Sequence, residues 1–99
     1  MAQREYDRAI DVWQQAIALD SRSASMQLRL ADAFIAAKRF DEAAARLQAA
    51  VALNAGADAH RRLAEVYATL GRSEEAAREK RAYTEQRLRE LRQRAGEIQ

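Results

Sequence analysis

Lys38-Arg39-Phe40-Asp41-Glu42-Ala43 is the stretch to read first, because two variants of it occur elsewhere in the chain. Arg4-Glu5-Tyr6-Asp7-Arg8-Ala9 precedes it and Gly71-Arg72-Ser73-Glu74-Glu75-Ala76 follows it, at nearly equal spacing. Each runs from a polar turn through charged residues to a fixed alanine, as the start of a helix does. The spacing, about 33–34 residues, is the period of a stacked helical hairpin. Such stacks usually offer a surface that holds another protein rather than a pocket for chemistry.

Outward from these stretches, long apolar patterns of period 3.6 are interrupted at only a few places. The interruptions are residues 20–23, 38–39, 54–57 and 71–72. Proline is absent and glycine occurs three times, so helices dominate. The predicted helices run over about 4–19, 24–37, 41–53, 57–70 and 73–98. Ser23, Asp41 and Ser73 are the expected N-caps, and Gly71 follows Leu70 as a helix-ending glycine. Connections this short force neighbouring helices to run antiparallel.

The 99 residues make one small domain or part of a longer array, with a modest core. Hydrophobic residues are 48% and charged residues 32%, the balance of a globular helical protein rather than a disordered one. No apolar run approaches the roughly 20 residues that span a bilayer, and Met1-Ala2-Gln3-Arg4-Glu5 has no apolar signal core. The expected location is therefore the cytoplasm. Arginine far outnumbers lysine and alanine is abundant, which reads as the codon bias of a GC-rich bacterial genome. Without cysteine, disulfides and thiolate metal sites are excluded.

Within the repeat, Leu30-Ala31, Phe34, Ala43, Leu47, Ala50 and Leu53 form a pattern that resembles the tetratricopeptide repeat. Leu63-Ala64, Tyr67 and Ala76 recur one period later. Ala9, Trp13, Ala16 and Leu19 match the second half of the preceding unit. The alanines let helix backbones approach while the larger side chains fill the space between. The resemblance covers about residues 4–82 and implies an all-α fold of antiparallel helix hairpins in a right-handed superhelix. Residues 1–22 read as a half repeat, 23–56 as a full one, and 57–83 as a second that continues into an extended helix to 99.

Two departures from the pattern stand at the ends. Nothing before Arg4 can serve as a first helix for the first unit. Ile10, Trp13 and Ile17 share one face of helix 4–19, and burying Trp13 alone is worth up to roughly 4–6 kcal/mol. Either that face packs on helix 24–37, or part of it meets another chain or a helix lost by truncation. In the last unit Lys80 and Tyr83 stand where Leu47 and Ala50 stood, and the helix runs on for roughly 25 residues, about 37 Å. Glu74–Arg78, Glu85–Arg89 and Glu90–Arg94 are expected i,i+4 pairs along it. Leu88, Leu91, Ala95 and Ile98 make an apolar stripe. The stripe either lies over the last repeat as a cap or reaches a second copy of the chain, a homodimer arrangement.

Catalysis finds no footing. His60 has no second histidine or cysteine and is expected on the surface; the serines are explained by capping; Gly56, Gly71 and Gly96 stand singly. No cofactor is expected. The arginines of the last helix alternate with glutamates, which argues against a nucleic-acid partner.

The resemblance implies instead a concave groove lined by the first helix of each unit. The matching residues are Ser25, Leu28, Arg29, Asp32, Ile35 and Ala36, then Asp58, Arg61, Arg62, Glu65, Ala68 and Thr69. Members that clamp a peptide carboxylate carry asparagine where Asp32 and Glu65 stand here, so a mixed-charge peptide or helix suits this groove better. Arg29, Arg61 and Arg62 are the residues expected to meet its acidic groups. The expected function is a protein-binding scaffold or adaptor; the alternative is a self-assembly module using Ile10, Trp13, Ile17, Leu88, Leu91 and Ile98.

Overall fold

The computed structural model describes residues 3–98; Met1, Ala2, Gln99 and the side chain of Ile98 lie outside the described residues. Five helices follow one another: α1 Gln3–Leu19, α2 Ala24–Ala36, α3 Phe40–Ala52, α4 Ala57–Thr69 and α5 Ser73–Ile98. Each packs against the next, so α2–α3 and α4–α5 form two stacked hairpins with α1 laid against α2. The stack measures 50 × 32 × 22 Å. Among the described residues, no helix is long and apolar enough to cross a membrane.

The helix ends are built from one turn used three times. After α2, the Lys38 N–H donates to Ile35 O at 2.9 Å and the Arg39 N–H to Phe34 O at 2.8 Å. The same pair of bonds joins Asn54 to Val51 and Ala55 to Ala50, then Gly71 to Ala68 and Arg72 to Tyr67. This bond pattern absorbs helix-end carbonyls and needs one left-handed residue, here Lys38 (φ +62°), Asn54 (φ +60°) and Gly71 (φ +75°).

Two expected N-caps move by this rule. Because Lys38 already turns the chain, Arg39 rather than Asp41 occupies the cap of α3, and it makes no side-chain cap bond. Ser73 is already the first residue of α5, one position beyond the cap. Ser23 does cap α2, its Oγ accepting the Met26 N–H at 3.2 Å.

Arg39 and Arg72 secure their turns from outside instead. The Arg39 guanidinium lies 4.9 Å from the centre of the Phe34 ring and donates twice to Glu42 at 2.7 Å. Arg72 repeats this 4.7 Å from Tyr67, with Glu75 as its carboxylate. Stacking and the bidentate pair make one unit of turn, aromatic core residue and helix start.

The core contains most residues of the repeat signature; Ala9, Trp13, Ala16 and Leu53 are half-buried and Leu19 is exposed. Leu30, Ala31, Phe34, Ala43, Leu47, Ala50, Leu63, Ala64, Tyr67 and Ala76 are all buried. Polar cross-ties join the two helices of each hairpin at matching positions. Arg46 donates to Gln27 at 3.2 Å, and one repeat further on His60 Nδ1 lies 2.6 Å from Glu79 Oε2. His60 is thus half-buried and paired, not a surface histidine: its place in the repeat is the inward-facing one that Gln27 fills.

The long α5 covers α4 through a different face from the one its leucines suggest. Its Glu90 Oε1 accepts the N–H of Ala57 at 3.1 Å, capping α4 where Gly56 has no side chain to do so. A helix turns about 100° per residue. The register that seats Ala76, Glu79 and Glu90 against α4 therefore turns Leu88 and Leu91 outward. Beyond Glu90 α4 has ended, and residues 91–98 overhang by about 12 Å. The expected ion pairs differ as well. Glu90 turns to Ala57 and to Arg87 at 3.4 Å rather than Arg94, and Arg89 takes Gln86 rather than Glu85. Glu74–Arg78 is not among the ion pairs of the described residues, and Arg72 takes the neighbouring Glu75.

The Ala57 N–H first, then Arg87 and Gln86, hold the Glu90 carboxyl below its ordinary value of 4.5. Folding thus favours the charged form. The resulting stabilisation is complete at neutral pH and is lost as pH falls below about 4.5 and through the lowered value. Glu90→Gln, with no charge to lose, should show a smaller drop in melting temperature than the wild type between about pH 7 and about pH 3. Thermal melts followed by circular dichroism check this.

Candidate functional site

The exposed sides of α2 and α4 form one surface because a charged pair joins them. Arg62 Nη1 donates to both oxygens of Asp32, at 3.0 and 3.1 Å, across the boundary between the two hairpins. Arg62 Nε lies 2.9 Å from Asp58 Oδ2. Arg61 Nε donates to Asp58 Oδ1 at 3.0 Å and Nη1 to Glu65 at 3.1 Å. The result is an alternating row, Asp32–Arg62–Asp58–Arg61–Glu65, whose charges satisfy one another. Asp58, and then Glu65, stabilise the charge on Arg61.

This row alters the roles of the groove arginines. Arg61 and Arg62 are committed to carboxylates of their own chain, whereas Arg29 has no side-chain hydrogen bond or ion pair among the described residues. Leu28 and Ile35 are half-buried on α2, and Ser25, Arg29, Asp32, Ala36, Ala68 and Thr69 are exposed. Thr69 Oγ1 donates back to Glu65 O at 3.0 Å. The surface therefore has an apolar strip and one unpaired cation on α2, and a paired row of three carboxylates and two arginines that runs from Asp32 of α2 along α4.

The residues singled out for assembly part company. Ile10 is only 4% exposed and belongs to the core, while Trp13 and Ile17 are half-buried against it. Their stripe turns to α2, the helix on which α1 packs. Leu88 and Leu91 are exposed, and Ile98 lies outside the described side chains.

Val12, which the sequence pattern did not single out, and Leu19, a signature residue, are exposed on the other side of α1. A signal existed for Val12: one period later it matches Arg46, which bonds to Gln27 on the first helix of its own unit. Also unforeseen was an open hollow of about 390 Å³ floored by Ile17, Leu30, Phe34 and Ala45, with Gln14, Glu42 and Arg46 around it. It lies on the side of α2 away from Asp32, since Leu30 and Asp32 are about 200° apart around the helix.

Comparison with known proteins decides the family. A tetratricopeptide repeat family model matches residues 1–61. The chain belongs to the tetratricopeptide repeat family. No curated protein matches it. Among solved structures, MamA from AMB-1 is 28% identical, with a TM-score of 0.76 over 83% of this chain and 49% of its own. MamA from MSR-1 is 26% identical, with a TM-score of 0.82 over 87% and 50%. A thermophilic tetratricopeptide protein of Thermus thermophilus is 28% identical, with a TM-score of 0.76 over 91% and 46%. The chain thus spans about half the length of these relatives. The second tetratricopeptide domain of Spaghetti (RPAP3), bound to the HSP90 peptide SRMEEVD, shares the fold at 24% identity and a TM-score of 0.75, over 82% and 76%.

Proposed function

We propose that this domain is a non-catalytic protein-interaction module that holds a peptide or helix of mixed charge on the α2–α4 face. The observation that carries the reading is the Asp32–Arg62 pair, which joins two first helices into one exposed face. In the solved structure of the Spaghetti (RPAP3) domain, a protein of the same fold holds a short acidic peptide. Here the committed state of Arg61 and Arg62 disfavours a ligand that relies on a carboxylate clamp. Displacing Asp32, Asp58 or Glu65 from its arginine would forfeit an existing pair, so a purely acidic ligand gains little from these two side chains. The suitable ligand places apolar side chains on Leu28 and Ile35, one carboxylate against Arg29, and basic groups near the outer oxygens of Asp32 and Glu65.

Arg29→Glu tests this at small structural cost, since Arg29 is exposed and has no partner to lose among the described residues. A peptide selected from a random library for binding to the wild-type chain should bind the variant about tenfold more weakly. Ala45→Glu, in the hollow on the other side of α2, should leave the affinity unchanged. Titration calorimetry reads both, and the opposite ranking would refute the groove.

A further inference from the structure

Among the described residues, side-chain hydrogen bonds cross the boundary between the two hairpins at two places only. At one, Gln48 of α3 donates to the Tyr67 hydroxyl of α4, part-buried beside the core. At the other, Arg62 of α4 donates to both oxygens of Asp32 of α2. The two places are not equally supported. α3 packs against α4, whereas α2 and α4 are not among the helix pairs that pack closely. One edge of the boundary is therefore a packed seam, and the other is held by an exposed ion pair.

That pair has an alternative at hand. Arg29 stands three residues before Asp32, a spacing at which opposite charges meet on one helix. The same order, arginine and then an acid three residues on, recurs one period later as Arg62 and Glu65. Yet Asp32 reaches across the boundary to Arg62 and leaves Arg29 without an ion pair among the described residues. Asp58 steadies the bridging guanidinium, with Oδ2 2.9 Å from Arg62 Nε and Oδ1 accepting from Arg61. Opening the boundary would exchange Asp32–Arg62 for Asp32–Arg29, while Arg62 keeps Asp58 and Arg61 keeps Asp58 and Glu65. The number of ion pairs is unchanged, and exposed pairs of this kind differ little in strength.

We infer that the Asp32–Arg62 pair is a salt-sensitive clasp that sets the width of the α2–α4 face. Closed, it draws the two hairpins together. Released, it lets them swing apart about the α3–α4 seam, a small motion of packed units on one another. Salt releases it because both partners are exposed to solvent and screened there, whereas the packed seam is not. The clasp belongs to the free chain, so it stands whether or not the face holds a peptide.

The test is the separation of α2 and α4 in solution without ligand. The chain has no cysteine, so Ala36→Cys with Thr69→Cys carries two nitroxide labels and no others, at equivalent exposed positions of the two helices. Dipolar broadening of the electron paramagnetic resonance spectrum reads their distance. At about 0.15 M salt the otherwise unaltered chain should give one short, narrow separation. Asp32→Asn, an exposed change that should keep wild-type circular dichroism, should lengthen and broaden it. At about 1 M salt the Debye length falls from about 8 Å to about 3 Å, and the unaltered chain should move to the Asp32→Asn value. Asp32→Asn itself should hardly respond to salt. Arg29→Met, which removes the alternative partner of Asp32, should open less than the unaltered chain at the same salt. Equal separations in Asp32→Asn and the unaltered chain overturn the clasp. So does an opening with salt that Asp32→Asn shows to the same extent. Because no ligand is present, neither result depends on whether the face binds a peptide, and the Arg29→Glu titration tests that separately.

Discussion

Leu47→Ala is expected to lower the unfolding free energy by about 2–5 kcal/mol, the range for deleting a large aliphatic side chain from a tight core. Leu47 is one of the two largest side chains that are fully buried, the other being Leu63. It belongs to the cluster that runs from Ile10 to Ala76, so the space it leaves can close only if several helices shift. A domain of this size has roughly 5–15 kcal/mol in all, so the loss should depress the melting temperature by roughly 10–30 °C. The internal control is Lys80, which has the same repeat position one unit later and is exposed. Lys80→Ala should change stability by no more than about 0.5 kcal/mol. Urea titrations of both variants measure the contrast. A Leu47→Ala loss below about 1 kcal/mol would mean that the hairpins are not packed as described.

Gly56→Ala should be the second large effect, and its cause is local. Gly56 caps α4 at φ +92°, ψ −172°, a conformation that glycine alone adopts readily. A methyl group there would also lie 3.4 Å from Glu90 Oε1, the atom that accepts the Ala57 N–H. Strain of this kind costs about 1–3 kcal/mol. Gly71→Ala makes the comparison: its φ is +75°, but no atom lies within 4 Å of the added carbon. Gly71→Ala should cost only about 1–2 kcal/mol. Hydrogen exchange gives a sharper reading, since only Gly56→Ala should loosen both the start of α4 and the end of α5. Equal costs confined to each mutated turn would contradict the link between Glu90 and α4.

What the sequence made legible follows from how repetition works. The signature positions Leu30, Phe34, Leu47, Leu63 and Tyr67 were readable as core because each occurs at a fixed offset from its counterpart. Helix boundaries were readable to within about one residue for the same reason. Cap chemistry read one position at a time did less well. Asp41 and Ser73 have the right side chains for N-caps, but a left-handed residue at Lys38 or Gly71 sets the cap at the arginine that follows. Lysine gives no sign of a left-handed turn by itself; only its alignment with Gly71 does.

The groove and the ends were legible in kind but not in detail. That Asp32, Arg61 and Arg62 share a surface was implied by the resemblance to the repeat family, yet their pairing depends on how far apart α2 and α4 stand, which no local pattern encodes. The capping role of Glu90 joins it to a distant Ala57 and depends on how far two antiparallel helices overlap. At the N-terminal end, the face of α1 that would be buried could not be chosen from periodicity, because both Ile10–Trp13–Ile17 and Val12–Ala16–Leu19 are apolar stripes. The larger side chains took the core.

Amide chemical-shift mapping tests most directly whether the α2–α4 face holds a protein segment, as proposed. The probe is a peptide selected against the chain from a random library, titrated into labelled protein. A groove on this face should give saturable shifts at Leu28, Arg29, Asp32, Ile35 and Ala68, with α3 undisturbed. Shifts gathered instead around Ile17, Phe34 and Ala45, or around Val12 and Leu19, would contradict it.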